Sequence, residues 1–137
     1  MASAVYPKAK ESFLGQNPSI DLDTDTIRVR LVNITTDYTY SSSHQYISSV
    51  TAYAGTTDAT LGSKTITSGV FDAADAQWTA VAISGTKTIG ACVIYKDTLT
   101  ASTSPVIAYI EFTAITPNSG NITVAWDNGG NGIFALV

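Results

Sequence analysis

The feature that most constrains this 137-residue chain is a recurrence of short β-type apolar runs separated by turn residues. In Ile27-Arg28-Val29-Arg30-Leu31-Val32, the apolar Ile27, Val29 and Leu31 alternate with two arginines, the pattern of a strand with one buried and one polar face. Comparable runs predict strands at Val50 to Ala54, Ser63 to Thr67, Gln77 to Ile83, Ala91 to Tyr95, Val106 to Thr113, Ile122 to Trp126 and Gly132 to Leu136. Short strands at this spacing, punctuated by Gly, Asp, Ser and Pro, predict an all-β single domain of about eight antiparallel strands, a β-sandwich or barrel and not a parallel α/β sheet. Pro117-Asn118-Ser119-Gly120 and Ser84-Gly85-Thr86 predict turns, and the glycine-rich Asp127 to Gly132 predicts a hairpin loop between the last two strands. The one helix signal is Pro7 to Leu14: proline suits a first helical position, Ala9, Phe13 and Leu14 fall near one face, and Gly15, Asn17 and Pro18 end it. The chain thus divides into an N-terminal arm with a short helix, residues 1–26, and a sandwich, residues 27–137.

Composition narrows the function. Only 13% of residues are charged, against about a quarter in an average soluble domain, while 20 Thr and 14 Ser supply most of the polarity. A net charge of −4, with 7 Lys and Arg against 11 Asp and Glu, excludes a nucleic-acid binder held by a basic face. No apolar run approaches the ~20 residues of a membrane span, and the N-terminus lacks the basic-then-apolar pattern of a secretory signal. The lone Cys92 can neither close an internal disulfide nor build a zinc site.

The residues that could carry chemistry are few. Asp21, Asp23 and Asp25 alternate as in a calcium loop, but Thr26 and Val32 stand where an EF-hand needs Gly and Glu, so capping of a turn is the better reading. The sole histidine, His44, lies in a serine-rich stretch without a nucleophile elbow. The only glutamates, Glu11 and Glu111, are not marked as half of a glycosidase pair. Cys92, in an apolar strand, reads as a small buried hydrophobe. Trp78 and Trp126 read as core anchors, with sugar stacking as the alternative. The expectation is a protein that is not an enzyme and uses no cofactor or metal.

Tyrosine is the more informative residue. Tyr38, Tyr40, Tyr46 and Tyr53 fall within sixteen residues of irregular, serine-rich chain, and Tyr6 lies in the arm. Such segments offer large contact area at low entropic cost, as protein interfaces do, and they equally serve to cover the end of a core.

Several blocks together resemble a known group. Ala4-Val5-Tyr6-Pro7-Lys8-Ala9-Lys10-Glu11-Ser12-Phe13-Leu14, Ile20-Asp21-Leu22-Asp23-Thr24-Asp25-Thr26-Ile27 and Asp37-Tyr38-Thr39-Tyr40-Ser41 with His44 are similar to segments of small structural proteins of tailed bacteriophages. So are Gly69 to Asp75, Ile94 to Thr98, Ala101 to Ser104 and Ile122 to Gly129, so the resemblance runs through nearly the whole chain. The loops at Leu61-Gly62-Ser63 and Ser84-Gly85-Thr86 are shorter than those of the group. The resemblance implies a virion protein of jelly-roll type, a capsid cement (decoration) protein on the capsid surface, with the major capsid protein as partner. The charge balance and the lack of a long apolar run lead to the expectation of no nucleic-acid and no membrane partner. A tail or connector protein of the virion, or a carbohydrate-binding module on the particle surface, is the alternative. Open sheet edges favour a homo-oligomer, a dimer or trimer. The arm is expected to reach a neighbour by strand addition, with Val5, Tyr6, Pro7, Tyr38, Tyr40 and Tyr46 as contact residues.

Overall fold

The computed structural model describes residues 3–127 and 129–135. Met1 and Ala2 of the expected arm, Asn128 of the expected hairpin loop and Leu136 of the last expected strand lie outside them. The fold is mostly β, with one short helix and antiparallel sheets. In chain order the elements are β1 (Ala4–Val5), α1 (Pro7–Phe13), β2 (Ile27–Val32), β3 (Ala59–Thr60), β4 (Thr65–Thr67), β5 (Val70–Asp72), β6 (Ala76–Trp78), β7 (Ile89–Lys96), β8 (Val106–Ile115), β9 (Ile122–Val124) and β10 (Phe134–Ala135). Short 3₁₀ turns occupy Ile47–Ser49 and Ala101–Thr103.

Three sheets result, in the orders β1-β8-β7-β2-β3, β10-β5-β4 and β6-β9. The centre of the largest sheet is β7, buried from Ile89 through Tyr95 and paired along its length with β2 on one side and β8 on the other. In β2 the expected alternation appears: Ile27, Val29 and Leu31 are fully buried, and Arg28 and Arg30 stand half-buried on the opposite face. One core unites the sheets, because Phe71, Trp78 and Ile122 of the smaller ones, with Trp126 just beyond β9, cluster with Val29, Leu31, Val93 and Ile107 of the larger.

Helix α1 begins at Pro7, whose missing N–H is no loss in the first turn, and Tyr6 caps it by accepting the Ala9 and Lys10 amides on its carbonyl at 3.0 and 3.2 Å. Gly15, at φ +107°, ends it. β1 is the edge strand of the largest sheet, so residues on both sides of position 26 share one sheet.

Several expectations are corrected. The segment Val50 to Ala54 forms no strand, because Val50 and Tyr53 both turn inward, three residues apart, where a strand would put them on opposite faces. The strand expected at Gln77 to Ile83 stops at Trp78, and Ala80 bends the chain at φ +49°. The last two strands do not form a hairpin: β9 pairs with β6, and β10 pairs with β5. Gly132 (φ +54°) sits so close to β5 that a Cβ there would lie 2.7 Å from the Phe71 carbonyl oxygen, and the Ile133 amide donates to that same oxygen. The short β1, β3 and β5 were not expected.

Candidate partner-binding surface

The arm leads into an aromatic socket. β1 pairs with β8 through Ala4 opposite Tyr109 and Val5 opposite Ala108, and the Tyr6 amide continues the ladder to the Ile107 carbonyl at 2.9 Å. The Glu111 amide donates to the Ser3 hydroxyl at 2.9 Å. The Tyr6 ring enters the core with zero exposure, 5.1 Å from the Tyr40 ring, which packs in turn at 5.2 Å on Tyr109. These tilted contacts at about 5 Å are the arrangement aromatic quadrupoles prefer.

Buried phenols need partners, and here they find each other. The Tyr6 and Tyr38 hydroxyls lie 2.7 Å apart, and the Tyr38 hydroxyl lies 2.8 Å from Nδ1 of His44. Where Nδ1 of His44 accepts, the donors run from Tyr6 to Tyr38 to His44, and each hydroxyl donates once. The Tyr109 hydroxyl donates to Oε2 of Glu111 at 2.9 Å. Burial, as the leading cause, pushes the Tyr6, Tyr38 and Tyr109 phenols above the usual range, so all three remain neutral donors at neutral pH.

The contact residues expected from sequence therefore divide. Tyr6 and Tyr38 are buried, and their bonded hydroxyls pin the arm to its own chain. Val5 and Tyr40 are half-buried in the same cluster. Pro7 is exposed at the start of α1. Tyr46 is half-buried elsewhere, in an antiparallel bridge to Pro105.

That bridge leads to the loop joining β7 to β8, which sequence reasoning passed over. Leu99 is 93% exposed there, at φ +70°, a backbone region that costs a branched side chain roughly 1 kcal/mol or more. Short polar side chains hold the loop in this shape. Oδ1 of Asp97 accepts the Leu99 amide at 2.8 Å, and the Ser104 hydroxyl accepts the Thr98 amide at 2.9 Å while donating to the Thr100 carbonyl at 2.8 Å. The Thr98 and Thr103 hydroxyls meet at 2.6 Å. The loop is tied down on both flanks: the Ile47 amide donates to the Ser104 carbonyl at 2.8 Å, and the Asp97 amide donates to the Thr26 carbonyl at 2.9 Å. The signal was present in Asp97-Thr98-Leu99-Thr100-Ala101-Ser102-Thr103-Ser104, one large apolar residue inside a run of turn-forming hydroxyls.

The remaining candidates act structurally. Oδ1 of Asp21 accepts the Asp23 and Thr24 amides at 3.0 and 3.2 Å, which holds its carboxyl below the ordinary range, and Asp25 pairs with Lys96 at 3.1 Å. Among the described residues no group of three or more His, Cys, Asp or Glu is placed to hold a metal ion. Burial pushes the Cys92 thiol up to about 12, so it is no nucleophile at neutral pH. On the polar face of the largest sheet, Asp58 accepts from Nε and Nη2 of Arg30 at 3.1 and 2.9 Å and from the Tyr95 hydroxyl at 2.5 Å, which ties the segment before β3 to β2 and β7. No helix among the described residues is long and apolar enough to cross a membrane.

No protein-family model, no curated protein and no solved structure matches this chain.

Proposed function

We propose that this chain is a structural protein of a tailed-bacteriophage virion, a capsid cement protein that binds the outer surface of the assembled shell and bridges neighbouring major capsid proteins. In this reading the three sheets form a jelly-roll-like sandwich that serves as a rigid spacer. The observation that carries it is the Asp97 to Ser104 loop. An isolated chain gains nothing from holding a leucine almost entirely in water on a left-handed backbone, yet four hydroxyl and carboxylate side chains stabilise that arrangement. A preorganised apolar anchor has the form of an interface hot spot, since little backbone freedom is lost on docking. The weakly charged, hydroxyl-rich surface and the resemblance of nearly the whole chain to small phage structural proteins support the same role. Binding to assembled lattice but not to free subunits would stabilise the shell by mass action, and repetition around the shell would add avidity.

Deleting residues 1–7 is a poor test, because it also removes the interior Tyr6. A cleaner one sediments the purified chain with phage heads that lack it. The wild-type chain is expected in the head pellet, and Leu99→Asn is expected in the supernatant with its fold intact. Failure of the wild-type chain to pellet with heads contradicts the proposal.

A further inference from the structure

Among the described residues, the large apolar side chains that stand out in water are Leu14, Ile66, Ile83 and Leu99. A lone exposed leucine is ordinary, but Leu14 and Ile66 belong to a wider apolar surface. Ile66 lines a cleft of about 360 Å³ together with Phe13, Ile20, Leu22, Phe71 and Phe134, and Leu14 directly follows Phe13. The Phe134 ring joins the two sides of this wall, stacked on Phe13 at 6.3 Å and tilted against Phe71 at 5.5 Å. The volume falls within the ordinary range of binding clefts. Contiguous apolar surface of this kind marks a place that something covers.

The charges around the cleft say what covers it. Leu14, at the C-terminal end of α1, is 89% exposed, and the exposed Lys10 precedes it by one turn. The two side chains therefore share the outer face of the helix, turned from the buried Ala9 and Ser12. The exposed Asp21 lines the cleft, and the amides of Asp23 and Thr24 on its carboxyl keep it ionised. Neither Lys10 nor Asp21 has an ion-pair partner among the described residues, and Lys64 acts on Asp21 only from a distance. One face of one chain thus carries an apolar projection with a cation beside it, and next to that an apolar recess with an anion beside it. Such a face is complementary to itself under a two-fold rotation, in charge as well as in shape. Any other partner would have to supply the projection and the cation that this chain already holds.

We infer that two copies of this chain pair through this face about a two-fold axis, Leu14 of each entering the cleft of the other and Lys10 of each meeting Asp21 of the other. Burial of Leu14 and Ile66 drives the association, and the charge pairs fix its register. The contact is isologous, so it closes at two copies. It uses neither Leu99 nor its loop, and it does not depend on a place in a virion.

Sedimentation equilibrium of the full chain tests this, with circular dichroism confirming the fold of each variant. The wild-type chain is expected to show a monomer–dimer equilibrium with a dissociation constant on the order of 10 μM. Leu14→Asp, at an exposed position, should weaken the dimer about a hundredfold, because a two-fold contact counts each substitution twice. Lys10→Gln should weaken it about tenfold at low salt and match the wild type at about 1 M salt, where exposed charges are screened. Ile83→Asn, at an exposed apolar residue outside the cleft, should dimerise as the wild type does. The inference is overturned if the wild-type chain stays monomeric up to about 1 mM or assembles beyond a dimer. It is equally overturned if folded Leu14→Asp, or Lys10→Gln at low salt, dimerises as tightly as the wild type, or if Ile83→Asn dissociates the pair as Leu14→Asp does.

Discussion

The socket around Tyr6 and the loop around Leu99 use the same polar chemistry toward opposite ends. In the socket, hydroxyls bond to one another so that large rings can be buried: Tyr6 to Tyr38, and Tyr38 to His44. In the loop, hydroxyls and a carboxylate bond mainly to the backbone so that a large apolar side chain stays out: Asp97 and Ser104 accept amides, and Thr98, Thr103 and Ser104 donate to the Thr100 carbonyl in the turn that presents Leu99. The first arrangement closes a core. The second works against the hydrophobic effect, a cost that a partner covering Leu99 would offset under the proposed function. A hydroxyl-rich, weakly charged composition therefore serves two purposes in one molecule, and the direction of each hydrogen bond tells which purpose a segment serves.

The contrast predicts that the socket governs stability and the loop governs binding. The largest effect is expected at Tyr6. Tyr6→Ala empties a fully buried site and should cost about 3–5 kcal/mol, whereas Tyr6→Phe removes only the hydroxyl and should cost about 1 kcal/mol, both read by urea unfolding. Equal losses for the two would show that the ring's packing does not matter. Gly132→Ala should cost about 2 kcal/mol by the same measurement, because its Cβ meets the Phe71 carbonyl, while Gly85→Ala, also at positive φ but facing open space, should cost less.

An alkaline titration sharpens the same comparison. The Tyr6, Tyr38, Tyr95 and Tyr109 phenols are raised above their unfolded value, burial first among the causes. The stability this contributes is fully present below about pH 10 and is lost as pH rises toward the folded values, because the unfolded chain then releases protons the folded chain retains. These four of the seven phenols should ionise together with loss of structure, as followed by phenolate absorbance against circular dichroism. The smallest effect on stability is expected at Leu99. Leu99→Asn, which suits a left-handed backbone, should change unfolding by no more than about 0.5 kcal/mol. A large loss there would mean that Leu99 belongs to the chain's own core and not to an interface.

Much of the fold was legible where the sequence repeats a pattern long enough to be self-consistent. β2, β7 and β8 are six, eight and ten residues long, and their apolar runs mark them. β1, β3 and β5 have two or three residues each, too few for any period, and exist because a longer strand or a closing loop lies beside them. The terminal hairpin failed for a related reason. A glycine-rich loop permits a hairpin, but Gly132 is needed for close approach to β5, a contact that no local pattern records.

The candidate contact residues show the limit of reading side chains one at a time. A tyrosine suits a core and an interface equally, and only the fold decides that Tyr6 and Tyr38 go inward while Tyr46 stays at the edge beside the β7–β8 loop. Leu99 was hidden for the opposite reason: a single leucine among threonines and serines looks like an ordinary surface turn until its backbone angle and its braces are known.

The central claim, that this is a shell-coating virion protein, is tested most directly by its copy number. If the proposed function holds, quantitative mass spectrometry of purified phage particles that contain the chain is expected to give a ratio to the major capsid protein of one or a simple fraction of one. A few copies per particle would place the chain in the tail or connector and would contradict the account.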